Sequence, residues 1–153
     1  MTVALSEQLS NAIREAMRAR DSTRLGTLRF LQAAIRQKEV DERRAPDDDA
    51  VLAIIERQVK QRRESIAAFE GAGRTEAARK EREELAILQE FLPQAASEAE
   101  VAVAVQAAID AAQADGLSGG AAMGRIMGQL KRTLAGRADM AAVSALVRER
   151  LSS

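Results

Sequence analysis

Apolar residues recur along most of the chain at the spacing of amphipathic helices. Before residue 93 this spacing predicts four helices, over about residues 3–20, 22–44, 49–71 and 76–92. On the second helix, for example, one stripe carries Leu25, Leu28, Leu31 and Ile35. Clusters of β-branched residues are too short to indicate strands. The pattern therefore predicts an all-α fold.

The composition changes after Leu92. Residues 93–96, Pro-Gln-Ala-Ala, are typical of a linker, and six of the nine glycines lie between residues 116 and 136. Beyond the linker, Ser97 followed by Glu100 is a capping-box signature, and the periodicity predicts three helices over about residues 98–114, 120–134 and 139–151. We expect a four-helix N-terminal bundle over residues 1–92 and a smaller three-helix C-terminal module over residues 93–153.

Several residue types are missing from the 153 residues: the chain contains no His, Cys, Trp or Tyr. Their absence excludes Cys/His zinc sites, thiol nucleophiles and Ser-His-Asp triads. Three Phe residues provide no row of aromatics of the kind that RRM or OB domains stack against bases. Because no loop resembles a phosphate-binding P-loop either, we expect no cofactor and no metal.

The charges balance, with 23 basic and 23 acidic residues. This balance excludes a globally basic nucleic-acid binder but not a basic face. No apolar run approaches the roughly 18 residues of a membrane span, and the N-terminus carries acidic residues too early to resemble a secretory signal. We therefore expect a cytoplasmic protein that does not contact membranes.

Five motifs, spread in order over nearly the whole chain, resemble those of the GatB/YqeY family. They are RLGTLR at 24–29, KQRRES at 60–65, FLP at 91–93, MGRIMG at 123–128 and GRAD at 136–139. The resemblance implies a two-part helical protein that shares its fold with the C-terminal tail of the B subunit of the tRNA-dependent amidotransferase. That complex uses glutamine as amide donor on mischarged tRNA, and its tail is implicated in holding the tRNA.

The resemblance therefore implies a tRNA- or RNA-binding module whose partner is tRNA or another structured RNA. Stand-alone family members lack the catalytic cradle of the B subunit. A carbon–nitrogen ligase activity with glutamine as amido donor would thus be implied only by the shared domain. The sequence offers neither an ammonia-generating nucleophile nor an ATP-phosphate loop for it. A protein-interaction adaptor, docking a protein partner on its helical surfaces, is the alternative from another class.

Charged residues interrupt the apolar stripes of three N-terminal helices. Arg62 lies within the stripe of helix three, Glu81 and Glu84 lie within that of helix four, and Arg24 does the same at the start of helix two. Because an unpaired buried charge is very costly, we predict an ion pair that links Arg62, with Arg24 as a second candidate, to Glu81 or Glu84. A structural ion pair of this kind fixes the register of the helices. The functional alternative is a catalytic carboxylate or a guanidinium that binds a ligand.

Glycines repeat every four residues along the sixth predicted helix, at Gly120, Gly124 and Gly128. Each costs about 1 kcal/mol relative to alanine in a helix interior, so a strip of three on one face indicates a purpose. The commoner purpose is close packing, here against helix five or seven. The alternative is a groove that an RNA backbone approaches closely.

Cations border this strip, because Lys131 projects within it and Arg125 and Arg132 flank its far edge. With Arg137 they are our candidates for phosphate contact, and Gly124 and Gly128 would allow the approach. The full candidate set for nucleic-acid binding is Gly124, Arg125, Gly128, Lys131, Arg132, Gly136 and Arg137.

Overall fold

A computed structural model describes residues 4–153 of the chain. Over these residues the chain forms seven α-helices and no strand, which confirms the all-α prediction. The helices are α1 (Leu5–Arg18), α2 (Ser22–Glu42), α3 (Asp48–Gly71), α4 (Thr75–Gln89), α5 (Glu98–Ala114), α6 (Gly119–Thr133) and α7 (Met140–Leu151). The sequence predicts a longer α4, but residues 90–92 instead form a turn with i to i−3 hydrogen bonds that leads into Pro93. In this described range, no helix combines the length and the apolar character that crossing a membrane requires.

Side chains that accept a hydrogen bond from a free backbone N–H fix the start of four helices. These side chains are Asp21, Asp47, Ser97 and Asp139. α4 and α6 differ from them, since Arg74 and Ser118 precede them without a side-chain cap. The N–H groups in the first turn of α6 are therefore not hydrogen-bonded by the side chain at the N-cap.

The chain divides into two compact units, one ending at Leu92 and the other beginning at Pro93. The first unit contains α1–α4 around a core of aliphatic side chains from all four helices. Its fully buried residues include Leu28, Leu31, Val51, Ile55 and Leu88. The start of α1 is tied to the start of α3, because the Leu5 amide donates to Asp48 Oδ1 at 3.1 Å.

The second unit contains α5–α7 around its own core. Each helix contributes large buried side chains to it, among them Val105 and Ile109, Ile126 and Leu130, and Val143 and Val147. The Ala96 amide donates to the carbonyl of Arg137 at 2.7 Å, so the end of the linker is held against the α6–α7 turn. This core decides which face of α6 is buried and which remains at the surface.

Candidate nucleic-acid interface

The glycine strip of α6 lies in open space. The helix buries Ala122, Ile126 and Leu130. A Cβ atom built on Gly120, Gly124 or Gly128 would meet nothing within 4 Å in the described part of the chain, outside its own stretch of helix. The expectation that this strip packs against helix five or seven is therefore wrong. The buried arc of α6 points elsewhere, and the aliphatic side chains of that arc make the inter-helix contacts.

Two cations beside the strip have no acidic partner. Lys131 and Arg132 are exposed in the last turn of α6. Within residues 4–153, neither side chain forms an ion pair. Both charges are therefore available to an incoming anion.

Arg125 is partnered, but by a weak surface contact. Its guanidinium lies 2.7 Å from Asp115 Oδ2, and both side chains are about half exposed, at 52% and 51%. An exposed pair of this kind contributes little to stability because water screens it. A phosphate group can replace Asp115 at low cost, so Arg125 remains part of the candidate surface.

Arg137 and Gly136 have structural contacts in the α6–α7 turn. Arg137 Nε donates to the carbonyl of Gln94 at 3.0 Å, and the same guanidinium pairs with Glu100 at 2.5 Å. Its hydrogen bond and charge hold the pKa of Glu100 below the ordinary value of 4.5, against a smaller opposing effect of burial. Gly136 has a φ of +71°, a conformation that glycine adopts without strain. The predicted cations thus divide into two unpaired ones, one weakly paired one and one that braces the linker.

The structure brings Arg62, Glu81 and Glu84 together, and we call these three residues the Arg62 cluster. Arg62 Nη1 lies 3.1 Å from Glu81 Oε2 and also pairs with Glu84. All three side chains are less than 20% exposed. The guanidinium also lies 5.5 Å from the centre of the Phe30 ring. Because two carboxylates already share the guanidinium, the cluster joins α3 to α4 and leaves no free guanidinium for a ligand.

Arg24 does not join that cluster. It pairs with Glu90, so the expectation of a partner at Glu81 or Glu84 is wrong. Arg24 lies in the first turn of α2, and Glu90 directly follows α4. The helical pattern predicts which face of a helix meets the core, but it does not predict how far along the neighbouring helix a partner lies.

Two residues outside the predicted set are conspicuous in the first unit. Gln58 is 5% exposed, and its Oε1 has no hydrogen-bond partner among the described atoms. Phe30 is 57% exposed. The position of Gln58 inside an apolar stripe was the available signal for its burial, and the position of Phe30 outside the apolar stripe of α2 was the available signal for its exposure. Over residues 4–153, no group of three or more Asp or Glu side chains is arranged to hold a metal ion.

Two curated relatives resemble the chain, and both are named "Altered inheritance of mitochondria protein 41, mitochondrial". The protein from Eremothecium gossypii is 39% identical over 85 residues, which are 55% of this chain and 46% of the relative. The protein from Pyrenophora tritici-repentis is 30% identical over 126 residues, which are 81% of this chain and 70% of the relative. The match to the first relative thus spans less than half of that protein.

These names contradict the expectation of a cytoplasmic protein, since both relatives are described as mitochondrial. That expectation depended on a missing secretory signal and a missing apolar span, neither of which distinguishes one aqueous compartment from another. The family is shown by a second comparison, because the profile of the Yqey-like protein family matches residues 6–151. That match covers both compact units and all five motifs, and the chain therefore belongs to the Yqey-like protein family.

Proposed function

We propose that this chain is a non-catalytic helical module that binds tRNA or another structured RNA through α6. The observation that carries the proposal is the open glycine strip at Gly120, Gly124 and Gly128 beside the unpaired cations Lys131 and Arg132. Half or more of the hydrogen bonds between proteins and nucleic acids go to phosphate and sugar groups. A strip without side chains allows a sugar–phosphate backbone to come close to a helix, and the cations then reach its phosphates.

The start of α6 supports the same proposal. Ser118 makes no side-chain hydrogen bond to the first turn, so the N–H groups there are available to a phosphate. The positive end of the helix dipole favours an anion at this position. For α6 we propose recognition of backbone and shape rather than of base sequence, because the three aromatic residues of the chain, all Phe, lie before residue 93.

We also propose how the helices are arranged within each unit. α1–α4 form a four-helix bundle, and α5–α7 form a module that resembles the tail of the tRNA-dependent amidotransferase B subunit. The helix order and the division after Leu92 support this assignment. The chain carries no His or Cys and no phosphate-binding loop, which supports a binding role over amide transfer.

A tRNA gel shift at two salt concentrations tests the proposal. Each phosphate contact adds about 0.7–0.9 to the slope of log affinity against log salt. Lys131→Ala/Arg132→Ala should therefore weaken binding at low salt and lower that slope by about 1.4–1.8. The matched control is Lys60→Ala/Arg63→Ala, which removes two exposed cations from α3 of the first unit and should leave the slope unchanged.

Two results would contradict the proposal. One is the absence of tRNA binding at low salt, which would leave the adaptor function as the alternative. The other is an equal loss of affinity in both double variants, since binding would then depend on net charge and not on the surface of α6.

A further inference from the structure

A cleft of about 640 Å³ runs between α2 and α3 in the first unit. Its lining includes Phe30, Ala33 and Ala34 from α2 and Ala53, Ile54 and Gln58 from α3. The alanines leave room between the two helices, so a flat group of moderate size can enter. This cleft lies in a different unit from the α6 surface and involves none of its residues.

Phe30 gives the cleft an aromatic wall. The core stripe of α2 is formed by Leu28, Leu31 and Ile35, and Phe30 lies outside it with 57% of its surface exposed. Arg62 approaches the ring at 5.5 Å from its centre. The exposed part of a phenyl ring is a platform on which an unpaired base can stack, and Arg62 covers another part of this ring.

Gln58 gives the cleft an unused hydrogen-bond acceptor. The residue lines the cleft and is only 5% exposed, and its Oε1, which is itself buried, lacks a partner within residues 4–153. Buried side-chain oxygens in proteins are usually paired, and one left unpaired costs stability. A ligand that brings an N–H group into the cleft would supply the missing donor once the Gln58 amide turns toward the cleft.

Positive charge adjoins the cleft on one side. A second concavity of about 410 Å³ shares Ala33 and Gln37 with the cleft and is lined by Arg29 and Arg36, with no acidic residue. Over the described residues, neither arginine forms an ion pair. At the other end, Asp41 accepts from Gln37 and Glu42 pairs with Lys38. An anionic group would therefore lie on the Arg29 and Arg36 side.

We infer that the cleft binds one unpaired nucleotide of an RNA. The base stacks on Phe30, its exocyclic amino group donates to Gln58 Oε1, and its phosphates face Arg29 and Arg36. An apolar face of a partner helix would fill the same cleft without pairing Gln58 or the two arginines. The inference extends the proposed RNA-binding function, and it adds a contact in the first unit that reads a base with an amino group, such as adenine or cytosine.

The first test is an NMR titration of the full chain with AMP and with purine riboside 5′-monophosphate. AMP should shift the ring signals of Phe30, and purine riboside 5′-monophosphate, which has the same ring system without the exocyclic amino group, should bind more weakly. Phe30→Leu should weaken AMP binding about 5- to 150-fold, the range that loss of base stacking corresponds to. Phe69→Leu is the matched control, because Phe69 also has an arginine over its ring, Arg74 at 5.3 Å, but does not line the cleft.

The second test separates binding from folding. Gln58→Met keeps the size of the side chain but removes the acceptor. It should reduce AMP affinity to that of purine riboside 5′-monophosphate while leaving Tm unchanged or higher, since it removes an unpaired buried oxygen. A lower Tm with unchanged AMP affinity would show that Gln58 only supports the fold, and it would overturn the inference.

The outcomes also separate this inference from the function proposed above. If tRNA binding depends on Lys131 and Arg132 but millimolar AMP never shifts the Phe30 signals, the nucleotide site is wrong and the α6 surface stands. If AMP binds at Phe30 but the chain does not retain tRNA, the nucleotide site stands and the proposed function is wrong. Shifts of Phe30 caused by an amphipathic peptide and not by AMP would assign the cleft to a protein partner and overturn the inference.

Discussion

The Arg62 cluster in the first unit and the α6 surface in the second place charged residues on helices in opposite ways. Arg62 lies between two carboxylates, and all three side chains are less than 20% exposed. Lys131 and Arg132 are exposed, and no carboxylate in the described chain pairs with them. In the sequence, both regions interrupt a helical pattern, the first with charged residues in an apolar stripe and the second with repeated glycines.

The difference between them lies in the partners that the fold provides. A buried guanidinium without a carboxylate would be very costly, so the fold supplies two, and the charge then serves stability and register. A cation at the surface has water as its partner and needs no carboxylate, so it can exchange that water for a phosphate. A partner inside the chain that is shielded from water together with the charge therefore distinguishes a structural charge from a binding charge.

Removing Arg62 should have the largest effect. Arg62→Met leaves two largely buried carboxylates, 19% and 15% exposed, without their counter-charge. It should lower the free energy of unfolding by about 3 kcal/mol, measured by urea denaturation. Arg63→Met, at the exposed neighbouring position, should change it by less than about 0.5 kcal/mol. Arg62→Met/Glu81→Leu/Glu84→Leu should recover most of the loss. Equal small effects of Arg62→Met and Arg63→Met would contradict the structural role of the cluster.

Filling the glycine strip should have a smaller effect of opposite sign. Gly124→Ala and Gly128→Ala should each raise the free energy of unfolding by about 1 kcal/mol, because a methyl group meets open space there. The same substitutions should weaken tRNA binding, since the added methyl groups would keep the RNA backbone further from α6.

Gly136→Ala provides the control for that prediction. This residue has a φ of +71°, so a side chain should destabilise the turn by roughly 1–2 kcal/mol. Destabilisation by Gly124→Ala and Gly128→Ala as well would show that the strip is needed for packing, and it would remove the main support for the RNA surface.

The ion pair between Arg137 and Glu100 should give the smallest effect, visible as a dependence of Tm on pH. The pKa of Glu100 is lower in the folded chain than its ordinary value of 4.5, chiefly through the hydrogen bond from Arg137. The pair therefore stabilises the second unit fully above about pH 4.5, and that stabilisation is lost as the pH falls through the lowered pKa. Glu100→Gln should lower Tm slightly at pH 7 and have no effect once Glu100 is protonated.

Glu98→Gln is the control for the pH experiment, since Glu98 is exposed in the same first turn of α5 but is not paired with Arg137. Its effect on Tm should differ from that of Glu100→Gln at pH 7. A difference between Glu100→Gln and the wild type that persists unchanged in acid would show that the ion pair with Arg137 does not cause it.

Much of the fold could be predicted because helices follow local rules. Apolar spacing indicated seven helices, and the capping-box signature at Ser97 marked the start of α5. The candidate sites could be predicted only in part. A helical wheel placed Arg62 and the glycines on the correct faces, but it assigned Arg24 the wrong carboxylate and expected the strip to pack against a neighbouring helix.

By itself, the sequence determined the all-α fold and the positions of the unusual residues, because hydrophobic periodicity and capping act within a few residues of the chain. The tertiary structure decided what surrounds those residues. It gave Arg62 two carboxylates, left the glycines of α6 uncovered, engaged Arg137 with the linker and exposed Phe30 beside the unpaired Gln58. These outcomes depend on how far along each helix its neighbours lie, and that distance is set by the packing of side chains that are remote in sequence.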